Sequence, residues 1–329
     1  MRKILLSSFI LLLTAAWFAG CGSSSKTVLP TVSSNFAFVR AGAGGAAGLQ
    51  QHSLPFNRLS LRLSGQSMPN VSSGNQSLVI MKNDGTGEKV LANNLAMVGS
   101  VQLSLDGKAG VSMEEDDNGY LQVFYADLTN LNNIQPKQLT STPENHIAPQ
   151  LSADRSTVIY YKWTSAQISQ AFTVKVAGGS ETQISTPSTE VYFPTFTPDG
   201  KHIVFEGYNK SSSGATISMM NLDGSGITTI TNLGSDWDEM PSVSPDGKTI
   251  AFSRYTSGQG EDIFTIGIDK TNLKQLTTDG NNWDPLFVND KIVFISWRDG
   301  HDLIYSMSLD GSNQKNLTPN DTYDYMFWD

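Results

Sequence analysis

Cysteine occurs once among the 329 residues and histidine only four times. The single cysteine, Cys21, excludes a disulfide within the chain, so a packed core has to carry the stability. His52, His146, His202 and His301 show no metal-ligand spacing, and no metal or cofactor is expected. Basic side chains are outnumbered: 22 Lys and Arg face 31 Asp and Glu, a formal charge of −9. That balance disfavours nucleic acid, whose binding rests on basic patches. No Gly-x-Ser-x-Gly elbow is present, which removes the usual hydrolase nucleophile. Helical periodicity is nearly absent from the repeated part of the chain.

What is present begins with an export signal. MRK supplies positive charge, ILLSSFILLLTAAWF is an apolar run, and small residues precede Cys21. This order marks residues 1–20 as a secretory signal, and the run is shorter than the roughly 20 residues a membrane span needs. Phe18-Ala19-Gly20-Cys21 resembles a bacterial lipobox. The resemblance implies cleavage before Cys21, its lipidation, and attachment to a membrane by that lipid alone. Gly22 in place of Asp implies the outer membrane, facing the periplasm. Residues 21–34, with Gly22-Ser23-Ser24-Ser25-Lys26, read as a flexible tether.

The remainder repeats. SVQLSLDGKAGVSM, APQLSADRSTVIYY, TFTPDGKHIVF and PSVSPDGKTIAF share one frame around Asp106, Asp154, Asp199 and Asp246. Successive intervals are 48, 45 and 47 residues, and a shortened copy at Asn289-Asp290 follows 44 later. Leu139-Thr140, Ile184-Ser185, Ile230-Thr231, Leu276-Thr277 and Leu317-Thr318 close the units in the same rhythm. Between the markers lie alternating segments such as TISMMNLDG and DIFTIGID, which read as strands. Four short strands per unit of about 45 residues predict an all-β fold, a β-propeller of four-stranded antiparallel blades. SDWDEMPSVSPDGKTIAF is similar to the signature of the PD40, or TolB-like, propeller family, and the resemblance covers residues 35–329. DTYDYMFWD at one end and SNFAFVR at the other complete one blade between them, which gives six blades and closes the ring. Residues 41–76, rich in Gly and Ser, form an extended loop inside that composite blade.

Repetition also sorts structural residues from candidate sites. Asp106-Gly107, Asp199-Gly200 and Asp246-Gly247 recur with the blades, as turns do, and are expected to form three-residue hairpin loops. Ligand binding belongs on the opposite rim, at the mouth of the channel. There Trp237-Asp238, Trp283-Asp284 and Tyr323-Asp324 form aromatic-acid pairs, His146 takes the corresponding place in an earlier blade, and Arg254 ends a second strand. Two roles fit these residues: caps between blades, or an acidic, aromatic-rimmed pocket. The family resemblance implies a binding or scaffold module for a protein or envelope polymer, with no obligatory oligomer. The alternative is a metal-dependent lyase-like or lactonase-like enzyme with its site at the mouth, where the three aspartates could hold a cation.

Overall fold

The alternating segments pair as the repeat requires. The computed structural model describes residues 33–41, 76–95, 98–319 (apart from 167, 187, 209–213, 233 and 235) and 324–325. Its strands form six sheets of four antiparallel strands, the six-bladed propeller expected. The first blade is composite. Asn35–Ala41, Gln76–Lys82 and Lys89–Leu95 are its second, third and outer strands, and Asp324–Tyr325 from the far end of the chain is its innermost. Val39 pairs with Tyr325 and Arg40 with Asp324. Blades two to six span 98–138, 147–183, 190–229, 237–275 and 282–316. The signal, Cys21, the tether as far as residue 32 and nearly all of the 41–76 loop lie outside the described residues.

The Asp-Gly turns are hydrogen-bonded units. Asp246 accepts from the Ser244 hydroxyl at 2.7 Å and from the Lys248 amide at 3.0 Å. The same Ser244 oxygen accepts the Thr249 amide at 2.9 Å. Ser104, Ser152 and Thr197 repeat this around Asp106, Asp154 and Asp199. Because a hydroxyl replaces a carbonyl as acceptor, each loop is one residue longer than the expected three: residues 245–248 lie between Ser244 and Thr249. Gly247, at φ 72°, supplies the left-handed turn position.

The Leu-Thr markers do a second job. Outer strands are only two residues long in five blades, too short to pair fully with the third strand. The marker hydroxyls take over as acceptors. Thr140, Ser185, Thr231, Thr277 and Thr318 accept the amides of Val123, Ala171, Ile217, Ile263 and Ile304 at 2.9–3.0 Å. The markers also seat the next blade. A Cβ on Gly224 would stand 2.0 Å from the Ile184 carbonyl oxygen, so only glycine fits that approach. Lys137, Lys274 and Lys315 donate across other seams to the turn carbonyls of Val176, Asp310 and Asp84, at 2.7–2.8 Å.

The innermost strands share a bulge. Ala148, Phe193, Met240 and Asp284, each just before a proline, have φ between 45° and 55°. The ladder skips two residues at each place. Such backbone costs on the order of 1–3 kcal/mol per residue, and tight packing has to hold it. Ala148, Phe193 and Met240 belong to one buried cluster that spans blades two to five. A channel cavity of about 90 Å³ starts at these bulges and runs toward the Asp-Gly rim, lined by all six blades.

Thr231→Val keeps the shape but leaves the buried Ile217 amide without its acceptor. It is expected to lower unfolding stability by about 1–3 kcal/mol in denaturant titration. Removing residues 323–329 takes away the closing strand and exposes the edge of Asn35–Ala41. The thermal midpoint is expected to fall by about 5 °C or more; an unchanged midpoint contradicts closure by this pairing.

Candidate binding face at the channel mouth

Asp238 opens the innermost strand Trp237–Val243 and stands opposite Arg254 in the ladder. Arg254 donates from Nε and Nη2 to both carboxylate oxygens, at 2.5 and 2.8 Å. Asp238 is 1% exposed. Burial pushes its carboxyl up while Arg254 pulls it back, and the bonds to Asp238 raise Arg254. The guanidinium also covers the Phe252 and Phe264 rings, 5.4 and 5.0 Å from their centroids. Both charges are spent on each other.

His146 occupies the same register position, beside Lys162, and is fully buried. Its Nδ1 lies 3.0 Å from the Leu121 carbonyl oxygen, an acceptor only, so Nδ1 carries a proton. Its Nε2 is 3.1 Å from both Glu181 Oε1 and Thr142 Oγ1. A neutral ring accepts from the threonine; a charged ring donates to the glutamate. Lys162 Nζ bridges Glu181 and Glu144, the latter at 2.7 Å, and lies 4.5 Å over the Phe172 ring. Burial opposes charge on both Lys162 and Glu181. Even so, the two carboxylates raise Lys162, and His146 with Lys162 hold Glu181 at about 2. In the composite blade Arg40 fills the Arg254 position, opposite Asp324, and its guanidinium donates to both oxygens of Glu88 at 2.7 and 3.2 Å.

The bulges correct one alignment. Asp284 stands at the positive-φ position, as Met240 does, so the counterpart of Asp238 is Asn282. Asp284 is 4% exposed and its amide donates to Ser253 Oγ at 2.9 Å. Trp283 packs among Phe36, Phe38 and Val79 in the core. The matching Trp-Asp pairs hid this, although the spacing to the proline shows it: Asp238 and Asn282 each stand three residues before Pro241 or Pro285, and Asp284 one. Asn282 instead accepts from Arg298 Nη2 at 2.8 Å. Tyr323 lies outside the described residues, and Asp324 is described through its backbone pairing. Among the described residues no three His, Cys, Asp or Glu gather as a metal site.

The register shows an aromatic series. One residue beyond the Arg254 position stand Trp163, Tyr208, Tyr255 and Trp297, in four consecutive blades, each partly exposed. Trp237 stacks on Tyr208 with centroids 5.6 Å apart. Trp163 meets Tyr161 and Tyr192 edge-on at 5.6 and 6.3 Å. The pattern has a sequence signal: Trp163, Tyr208 and Tyr255 each follow their turn aspartate, Asp154, Asp199 or Asp246, by nine residues.

The family model described as the Tricorn protease N-terminal beta propeller domain matches residues 122–329. The chain belongs to that family. Relatives of this Tricorn-type propeller include the Tol-Pal system protein TolB of Francisella tularensis, 33% identical over 98 residues, which are 30% of this chain and 22% of that protein. The chain thus matches about a fifth of the length of this curated relative. Among solved structures it is similar to TolB from Acinetobacter baumannii (TM-score 0.69, 19% identity, 91% of this chain and 67% of the other). It is also similar to a putative TolB from Agrobacterium tumefaciens (TM-score 0.64, 20% identity, 75% and 89%). It is a TolB-like six-bladed propeller.

In this Tricorn-type propeller the charged groups at the mouth pair within one blade, as Arg40–Glu88, Lys162–Glu181 and Arg254–Asp238 do, or with the loop that leads into it, as Lys162–Glu144 does, while the aromatic series meets solvent. Those two layers make different predictions. Glu181 is ionised well below the carboxylate reference of 4.5. Its contribution to stability is therefore complete above that reference and is lost as pH falls toward about 2. Glu181→Gln is expected to lower the thermal midpoint at neutral pH and to flatten its fall between those two pH values. Parallel curves for the two proteins contradict the assignment.

Proposed function

We propose that this propeller is an exported envelope protein, anchored through lipidated Cys21, that binds a protein or envelope polymer with the mouth rim of its disc. The observation that carries the reading is the partly exposed aromatic series Trp163, Tyr208, Tyr255 and Trp297, held at one register position on a rigid ring. Trp and Tyr are the residues that dominate binding hot spots, because they offer large rigid area at little entropic cost. Similarity to a Tol-Pal system protein supports the envelope setting and a protein partner. The Asp-Gly rim is the poorer candidate, since its aspartates are occupied within their own turns.

The test places a photocrosslinking amino acid at Tyr255 on the mouth and, separately, at Lys248 on the Asp-Gly rim, in cells of the native organism. A defined partner is expected from Tyr255 and not from Lys248. The same experiment in a Cys21→Ser background separates anchoring from recognition, with the protein expected in the soluble fraction. An uncrosslinked monomer from Tyr255, or equal capture from both rims, overturns the proposal.

A further inference from the structure

The chemistry of the occupant follows from what surrounds the aromatic series, granted that the mouth is the binding face. Among the described residues, Arg40, Lys162, Arg254 and Arg298 are the cations that reach this rim, and each is held by a carboxylate: Glu88, Glu144 with Glu181, Asp238 and Asp279. The acids are more numerous than these pairs consume. Glu115, the last residue of the second strand of blade two, and Asp117 in the loop after it are exposed. Asp236 is half-buried in the loop that leads to Trp237. The other rim is different in kind: Lys108, Lys201 and Lys248 follow its inner turns, beside aspartates already held by their own loops. The disc is therefore electrically two-faced. Its acidic face is the one that carries the aromatic rings.

An aromatic face backed by carboxylates is a cation receptor. The ring quadrupole attracts an ammonium or guanidinium within about 6 Å, and the attraction grows as water is excluded. The molecule already uses this pairing internally, at Arg254 over Phe252 and Lys162 over Phe172. Four rings at one register position, one per blade, repeat the receptor along an arc. We infer that the mouth takes an extended peptide segment bearing several lysines or arginines, each cation seated at a ring of the Trp163–Tyr208–Tyr255–Trp297 arc. A neutral glycan would use the rings and donate hydroxyls to the acids but bring no charge to offset theirs, and an acidic partner would be repelled.

Three probes decide the matter: a fluorescent peptide of alternating lysine and serine, its glutamate counterpart, and a neutral cello-oligosaccharide. Each is titrated into the intact protein by anisotropy at low and high salt. The lysine peptide is expected to bind, to weaken about tenfold or more as salt screens the rim, and to outcompete the other two. Tyr255→Ala is expected to weaken it about tenfold with an unchanged thermal midpoint, and Lys248→Glu on the other rim to leave it unchanged. Trp163→Ala adds a second reading where its midpoint also holds; where it does not, Tyr255→Ala alone decides. Failure of the lysine peptide to bind, equal binding of the glutamate peptide, preference for the saccharide, or indifference to Tyr255→Ala each overturns the inference. If the mouth still crosslinks a partner while the lysine peptide fails, the binding role stands and the cationic occupant falls. If both fail, the mouth itself is wrong.

Discussion

The pairing of Val39 with Tyr325 and Arg40 with Asp324 joins strands from opposite ends of the chain into one sheet. Each blade is a small sheet that cannot bury both faces alone, and every core cluster draws residues from neighbouring blades. Packing is therefore cooperative around the circle, and the circle exists only while those ends meet. The remaining hydrogen bonds make sense under that constraint. In five blades the outer strand is only two residues long, and Thr and Ser hydroxyls finish the ladder that the backbone leaves short. A short outer strand also presents little free edge for pairing with another molecule.

Ring geometry then divides labour between the rims. The Asp-Gly side is assembled from local, self-satisfied turns, and lysines pin adjacent blades through turn carbonyls. On the mouth side the cations at the ends of second strands brace single blades, through ion pairs within the blade or with the loop just before it. There Glu88 and Glu181 each stand just before the outer strand of their blade, whereas Asp238 lies in an innermost strand. Variation in the partner at a fixed cation position is what a scaffold tolerates. Constancy of the aromatic position just beyond it is what a surface requires.

Much of this was legible in the sequence. The Asp106, Asp154, Asp199 and Asp246 rhythm yields the blade period, and the Leu-Thr rhythm independently marks the blade ends. Complementary fragments at the termini yield the closure. The mouth was legible only in outline. Asp238 and Asp284 look alike beside their tryptophans, yet a bulge sets them two positions apart in the ladder. A bulge of that kind leaves no mark except a proline that is shared by both. Glu181 was invisible because its link to Lys162 crosses a whole blade. Trp163, Tyr208 and Tyr255 could have been found by counting nine residues from each turn aspartate. Trp297 breaks that count because its hairpin is shorter.

Ser33, the first residue described, donates its amide to the Leu105 carbonyl at 2.6 Å, beside the turn at Asp106. The chain enters the disc on the lysine-bearing side, and Asn35–Ala41 then climbs to the mouth. Any pull exerted through the residues before Ser33 acts on that side. Under the proposed anchoring through Cys21, attachment would fall on the rim opposite the aromatic arc. The place where the first strand begins would then decide which rim of the disc is left free for a partner.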